Sequence, residues 1–163
     1  MKYTIRTANI EDLPRIEFIY GYAREFMKTS GNPFQWGNTY PPTQMLENDI
    51  EKQLLLVLET DNTIHGVFYF YIGEDPTYGY IEDGMWHSDS VYGTIHRIAG
   101  DGSGGILADA VAYCKERIDY LRIDTHADNV VMQNAIAKQG FSRAGIVYME
   151  DGTPRIAYDL RIT

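Results

Sequence analysis

Residues 100–105 read Gly-Asp-Gly-Ser-Gly-Gly and lie between a predicted strand at 92–99 and a predicted, almost uniformly apolar helix at 106–118. Glycine lets the backbone turn tightly and approach a ligand closely. The first N–H groups of the helix have no partner within it, and the positive end of its dipole attracts an anion. The stretch therefore predicts a phosphate cradle, although a glycine cluster taken alone is more often a flexible surface turn. It lacks the Gly-Lys-Ser/Thr of a P-loop and the spaced acidic residue of a dinucleotide site, which disfavours nucleoside triphosphates and NAD.

The rest of the chain predicts strands and helices around this loop. Strands are expected at 3–7, 54–58, 64–72, 92–99, 120–125, 142–149 and 155–160. Helices are expected from Asn9 or Asp12, from Thr43 as a capping residue to about 53, at 106–118, and from Asn129 to Gln139. Pro14 is tolerated only near a helix start, so the first helix can begin a few residues after Asn9.

Two segments that separate these elements, 30–42 and 73–91, are rich in glycine, proline and aromatic residues and are predicted to be loops. No repeat or linker interrupts the chain. The order of the elements predicts a single α/β domain (α+β mixed) over residues 1–163. Its sheet is expected to be mixed and partly antiparallel, with helices on both faces.

Composition narrows the function classes. The 163 residues are 44% hydrophobic and carry 14 Lys+Arg against 23 Asp+Glu, a formal charge of -9. That charge repels nucleic-acid phosphates and anionic lipid headgroups, so neither is an expected partner. Cys114 is the only cysteine, which excludes an intramolecular disulfide and a cysteine-rich zinc site, and no metal is implied. The start of the chain has no apolar leader segment, and no apolar run approaches the ~18 residues of a membrane span, so we expect a cytoplasmic protein.

A second segment carries a family resemblance. Residues 121–129 read LRIDTHADN and lead into a helix that is followed by Gly140-Phe141. A strand, glycine turn and helix followed by a strand, Asn, helix and Gly-Phe resembles the GNAT-type N-acetyltransferase superfamily. Asn129 precedes Gly140 by eleven residues, as in that family's pattern, and residues 8–14, ANIEDLP, are similar to the family's usual entry into its first helix. The resemblance covers nearly the whole chain in element order.

The resemblance implies a fold and a reaction. The fold has a central mixed, mostly antiparallel sheet of six to seven strands with helices on both faces. The reaction transfers the acetyl group of acetyl-CoA, as co-substrate, directly to an amine of a small molecule or a peptide. Backbone N–H groups would hold the cofactor phosphates, and this part of the site is expected at Ser103, Gly104, Gly105, Ile106 and Leu107. Asn129 would contact the pantetheine arm, and the N–H of Ile98 or Ala99 would polarise the thioester carbonyl.

Two departures from the family pattern bear on these roles. The family's phosphate loop has Gln or Arg, two residues, Gly, one residue, and then Gly or Ala. The equivalents here are Gly102, Gly105 and Leu107, so the last glycine is lost; backbone donors need no particular side chain and survive that loss. The tyrosine that often precedes the closing Phe by five residues, where it acts as general acid, is replaced by Ile136. Another acid or water must serve, and Tyr148 and Tyr80 are candidates by residue type, each of which can instead pack with a hydrogen-bonded hydroxyl.

Histidines are the candidate bases, since direct transfer needs a neutral amine near neutral pH. His96 lies in the strand that runs into the glycine loop. His126 follows the next strand, where the two strands should part around the pantetheine arm, and Asp124 beside it could orient an imidazole. Each histidine can instead be a hydrogen-bonded, partly buried residue, and Asp124 and His126 can organise the turn into Asn129.

The acceptor pocket is expected in the two aromatic loops, 34–40 and 78–86, with Trp36 and Tyr80 as binding residues. Trp36 can bind an ammonium or an apolar tail, or can anchor its loop on the core. Two rivals stay open: a CoA-binding regulatory or sensing module that keeps the fold without turnover, and a structural or partner-binding domain without a CoA site. A homodimer is possible.

Overall fold

The structure, a computed structural model, describes residues 1–162 and contains seven strands and four α-helices. The strands are β1 (Thr4–Thr7), β2 (Leu55–Thr60), β3 (Thr63–Ile72), β4 (Gly93–Gly100), β5 (Tyr120–Thr125), β6 (Ser142–Tyr148) and β7 (Pro154–Arg161). The helices are α1 (Leu13–Thr29), α2 (Thr43–Glu51), α3 (Ile106–Lys115) and α4 (Val130–Lys138). This order confirms the mixed α/β fold.

All seven strands form one sheet in the order β1-β2-β3-β4-β5-β7-β6. Only β4 and β5 run parallel, and the other neighbours are antiparallel. The parallel pair needs a crossover connection, and α3 provides it. Two antiparallel units therefore meet at β4 and β5, in the middle of the sheet.

Both faces of the sheet bury apolar side chains. In β2, Leu55 and Val57 pack with α1 and α2, whereas Leu56 and Leu58 pack with α3 and α4. Alternate residues of a strand point to opposite faces, so a continuous apolar run is what a strand covered on both sides requires. The helices lie on both faces, as the sequence predicted.

Of the expected caps, Asp12 does precede α1, although its side chain accepts no hydrogen bond from the helix, whereas Thr43 lies inside α2. A 3-10 turn over Ile10–Asp12 precedes α1, so the helix begins at Leu13 with Pro14 in its first turn, where a missing N–H costs nothing. Thr43 is the first residue of α2 and not its cap, which corrects the prediction. Its hydroxyl donates to Glu17 Oε1 at 2.8 Å, so it joins α2 to α1 instead.

Segment 73–91 is held against the sheet by polar contacts. The backbone N–H groups of Glu82 and Ile146 each donate to the other residue's carbonyl. The His87 imidazole lies 2.6 Å from Asp159, a buried carboxylate of β7. No helix within residues 1–162 is long and apolar enough to cross a bilayer.

Candidate active site

The two parallel strands separate along the sheet. They pair at Gly93 with Leu121 and at Thr94 with Arg122, and no further pairs join them although both strands continue. The wedge between them opens into a cavity of about 710 Å³. Strand edges that no neighbour pairs expose backbone donors and acceptors, which can hydrogen-bond an extended ligand that carries amides.

A bulge in β4 forms one wall of this wedge. Ala99 pairs with Val67 and His96 with Tyr69, so β4 holds one more residue than β3 between these pairs. Arg97 absorbs the extra length with a φ of 51°, a left-handed conformation that is costly for a non-glycine residue. Such a bulge re-aims the strand beside a site.

Tertiary contacts hold the bulge in place. The Tyr20 hydroxyl donates to the Arg97 carbonyl at 2.7 Å, and the Arg97 guanidinium forms an ion pair with Asp49 of α2. The same guanidinium lies 4.6 Å from the centre of the Tyr69 ring. The strained backbone is therefore fixed from both α1 and α2.

His96 lies on the cavity wall between two carboxylates. Its Nε2 is 2.6 Å from Asp75 Oδ2, and its Nδ1 is 3.6 Å from Asp124 Oδ2. Burial raises the pKa of Asp75, but the hydrogen bonds and positive charge of its partners, His96 first and then Thr77, outweigh burial and lower the pKa to about 2. Asp75 is thus ionised at neutral pH, so the proton of this short contact belongs to the imidazole.

Tyr78 supports the second carboxylate. Its hydroxyl donates to Asp124 Oδ2 at 2.6 Å, and its ring is almost fully buried. Burial, and then the charge of Asp124, raise the pKa of Tyr78 well above its usual value. The phenol stays protonated and holds Asp124 toward the imidazole.

The glycine loop lies at the far end of β4. Gly102, Gly104 and Gly105 all have positive φ, and Gly105 precedes α3 directly. The backbone N–H groups from Gly104 to Ala108 have no acceptor within residues 1–162. A Cβ placed on Gly104 would meet no atom within 4 Å, so the space beside this residue of the loop is open.

Asp101 braces this loop. It accepts hydrogen bonds from Arg15 at 2.9 Å and from the Ser103 hydroxyl at 2.6 Å, and it contacts His65 Nδ1 at 2.8 Å. Burial raises the pKa of Asp101, but the hydrogen bonds from Ser103 and His65 lower it below its usual value. The ionised carboxylate fixes the loop shape and leaves the N–H groups of the helix start for an anion.

Solved structures with this fold carry a family name. A GNAT-family acetyltransferase from Streptococcus agalactiae 2603 superposes with a TM-score of 0.88 and is 27% identical, over 99% of this chain and 96% of that one. The chain belongs to the GNAT-type N-acetyltransferase superfamily. A GNAT-family acetyltransferase from Listeria monocytogenes 4b F2365 has a TM-score of 0.71 at 16% identity, over 98% of this chain and 95% of that one.

One neighbour of this GNAT chain contains the cofactor. The yncA protein of Salmonella typhimurium, solved with acetyl-CoA, superposes with a TM-score of 0.59 at 16% identity, over 100% of this chain and 95% of that one. No protein-family model matches the sequence, and no curated protein matches it. These neighbours are acetyltransferases, but their sequence identity to this chain is too low to indicate its acceptor substrate.

The residues predicted after β5 are close to the wedge. Asn129 caps α4: its Oδ1 accepts from Met132 N–H and its Nδ2 donates to Gln35 Oε1, both at 3.0 Å. The capping role is therefore present, and contact with the pantetheine arm stays a prediction. The His126 Nδ1 accepts from Asp128 N–H, and burial, followed by the charge of Arg155, lowers the pKa of His126. The sequence suggested that Asp124 orients the imidazole of His126, but in the structure the Asp124 carboxylate faces His96.

Of the predicted aromatic site residues, one lines the cavity and two lie outside it. Trp36 lines the cavity and also packs edge-on against Tyr20, with ring centres 5.6 Å apart. Tyr80 and Tyr148 do not line the cavity, and both hydroxyls donate to Glu82. The geometry gives no support to these two as general acid or acceptor contact. Ile136, at the position of the missing tyrosine, is fully buried in the core.

Several polar residues of the cavity, Asp75 and Arg155 among them, were not predicted from the sequence. Asp75 precedes His96 by 21 residues in a loop that has no periodicity, and only its Asp-Pro-Thr turn is visible in the sequence. Arg155 lies in the last strand, where an arginine is usually exposed, yet here it lines the cavity. Residues 1–162 contain no group of His, Cys, Asp and Glu arranged to hold a metal ion.

Proposed function

We propose that the chain transfers the acetyl group of acetyl-CoA directly to a primary amine of a small molecule or a peptide. One observation carries the proposal: His96, flanked by two carboxylates, lines the wedge next to the β4 bulge, and β4 ends in a loop of free backbone donors. These features would give two carboxylates for a cation and a candidate base beside β4, and a site for an anion at the end of that strand.

The donor fits the wedge and the loop. Acetyl-CoA would supply an acetyl thioester on a pantetheine arm with two amides and a pyrophosphate. The N–H groups of Gly104 to Leu107, with Ser103 shaping the turn, would bind the pyrophosphate. Thr125, whose hydroxyl is buried and has no hydrogen-bond partner within residues 1–162, also lines the cavity.

The acceptor fits the acidic side of the cavity. Asp75 and Asp124 favour a cationic amine, and Trp36 offers an aromatic face to the same cavity. Because Asp75 takes the Nε2 proton in a hydrogen bond, the neutral imidazole keeps its lone pair on Nδ1, the nitrogen that faces Asp124. Nδ1 would accept the amine proton directly or through one water, and both carboxylates would stabilise the resulting imidazolium.

His96 would take one proton from the bound ammonium, and the neutral amine nitrogen would then form a bond to the acetyl carbon. The C–S bond to CoA would break, the nitrogen would release its second proton, and the thiolate of CoA would take up a proton. The N–H of Ile98 or Ala99, in the bulged part of β4, would stabilise charge on the acetyl oxygen. The proton for the thiolate would come from Tyr69 or Tyr40, the tyrosines that line the cavity, or from water.

Two measurements test this proposal. Calorimetry should detect acetyl-CoA binding, and a thiol-release assay with polyamines, amino acids, aminoglycosides and peptides should show release that depends on an added amine. Binding without amine-dependent release would instead make the chain a CoA-binding sensing module. Absence of binding would reject both. The lone buried Cys114 and the charge of -9 support a cytoplasmic enzyme that avoids nucleic acid.

A further inference from the structure

Arg155 is a buried cation that forms no direct ion pair within residues 1–162. The Thr153 hydroxyl links it to Asp151, whose pKa is lowered by hydrogen bonds from Thr153 and then by the charge of Arg155. Arg155 lies on β7, only 9% of its surface is exposed, and no carboxylate oxygen within residues 1–162 is within 4.0 Å of it. Its partners are neutral: Nη1 donates to the Thr153 hydroxyl at 3.1 Å and to the Pro154 carbonyl at 3.0 Å, and Nη2 donates to the Gln35 carbonyl at 3.4 Å. A buried charge that lacks a direct ion pair is costly, which points to a ligand that supplies one.

Some N–H donors of the Arg155 guanidinium form no hydrogen bond with the described residues. Of the five N–H groups of an arginine, these contacts use three, so Nε–H and one N–H of Nη2 have no acceptor among the described residues. Nε and Nη2 form one edge of the planar guanidinium, and such an edge can bind a carboxylate through two parallel hydrogen bonds. The positive charge of Arg155 also acts on a neighbouring residue, because this charge, after burial, lowers the pKa of His126.

Arg155 shares its cavity with His96, Asp75 and Asp124, whereas residues 100–107 of the glycine loop and helix start do not line that cavity. A phosphate held at the loop would leave Arg155 without a direct ion pair. An anion bound to Arg155 would therefore be separate from a phosphate held at the loop.

We infer that the acceptor carries a carboxylate as well as the amine that is acetylated, as a free amino acid does, and that Arg155 binds this carboxylate. This inference rests on the proposed acetyl transfer and names its substrate class. Asp75, Asp124 and His96 take the ammonium end, and Arg155 takes the acid end. The opposite charges at the two ends fix the orientation of the acceptor in the cavity.

Matched pairs of amino acids and their carboxamides test the inference without any mutation. Thiol release is measured for each of the common amino acids, for its amide and for spermidine, in the presence of acetyl-CoA. We expect at least one amino acid to exceed its amide by roughly 10- to 100-fold in kcat/KM, the usual worth of a hydrogen bond to a charged group. Equal rates for every pair, or a preference for spermidine over all amino acids, would overturn the inference and leave acetyl transfer standing.

Variants then assign the preference to Arg155. Arg155→Met should reduce the acid-to-amide ratio to near one, mainly through the KM of the acid, and Arg155→Lys should restore part of it. Arg143→Met, on the outer strand β6, is the control and should leave the ratio unchanged. If Arg155→Met weakens acids and amides equally, the arginine only holds the Gln35 loop, and the inference is wrong.

A binding measurement keeps the inference independent of turnover. Calorimetry with CoA present compares the same amino acids with their amides on the wild-type protein. Tighter binding of an acid, lost in Arg155→Met, supports the carboxylate site even if no thiol is released, in which case acetyl transfer alone fails. If no amino acid binds more tightly than its amide, the carboxylate site is refuted.

Discussion

Replacing Gly104 by Asp or by Asn isolates the charge of the donor site. Gly104 has a φ of 82° and open space around its Cβ position, so both side chains fit and both meet the same backbone strain. Asn and Asp are also the non-glycine residues that best tolerate this conformation. The two variants therefore differ in one negative charge, placed two residues before the start of α3.

The expected size of the effect follows from Coulomb's law. The loop is exposed, so the dielectric is close to that of water, and a carboxylate about 5 Å from a phosphate costs roughly 0.8 kcal/mol per pair of charges. Two charges on the pyrophosphate give roughly 1.7 kcal/mol, or about 15-fold in Kd. Gly104→Asn should lose only a few-fold.

The assay is calorimetric titration with acetyl-CoA at two salt concentrations. Gly104→Asp should bind about 15-fold more weakly than Gly104→Asn at low salt, and the gap should narrow as salt screens the charges. Thermal unfolding checks that the two variants are equally stable. Equal affinities of the Asp and Asn variants would show that no phosphate binds at this loop.

Three further predictions concern the cavity. His96→Gln should lower kcat by about 10²- to 10⁴-fold with little change in acetyl-CoA affinity, whereas His87→Gln, which alters a His–Asp pair of equal length outside the cavity, should leave kcat intact. Because the pKa of Asp75 is lowered to about 2, its carboxylate stabilises the fold above pH 4 and loses that effect as pH falls toward 2; Asp75→Asn should thus cost roughly 2 kcal/mol of unfolding free energy at pH 7, measured by denaturant titration, about half of that near pH 3, and little near pH 2. Trp36→Ala should raise the KM of the acceptor far more than that of acetyl-CoA, and equal losses with a lower Tm would make Trp36 an anchor only.

Most of the fold could be predicted from the sequence because its elements have strong periodic patterns. The strand Tyr120–Thr125 and the cap Asn129 are where the pattern predicted them, since a short apolar run ends at a residue that favours a helix start. The prediction at Thr43 was wrong because its hydroxyl found a tertiary partner, Glu17, that no local pattern reveals.

The residues of the candidate active site could be predicted from the sequence only in part. His96 and Trp36 could be proposed because they lie next to recognisable elements, and both do line the cavity. Asp75 and Arg155 come from a patternless loop and a terminal strand, and only tertiary packing brings them together with His96. The bulge at Arg97 could not be predicted from the sequence either, because contacts from α1 and α2 impose its positive φ at a non-glycine residue.

The most direct test of acetyl transfer in this cavity counts products. Thiol release from acetyl-CoA and the mass of the amine are followed together while an amine is added to the protein. We expect one thiol released for each amine that gains an acetyl group, and no release above background without the amine. Thiol release that ignores the amine, or acetyl-CoA that binds and is never consumed, would contradict direct transfer by this chain.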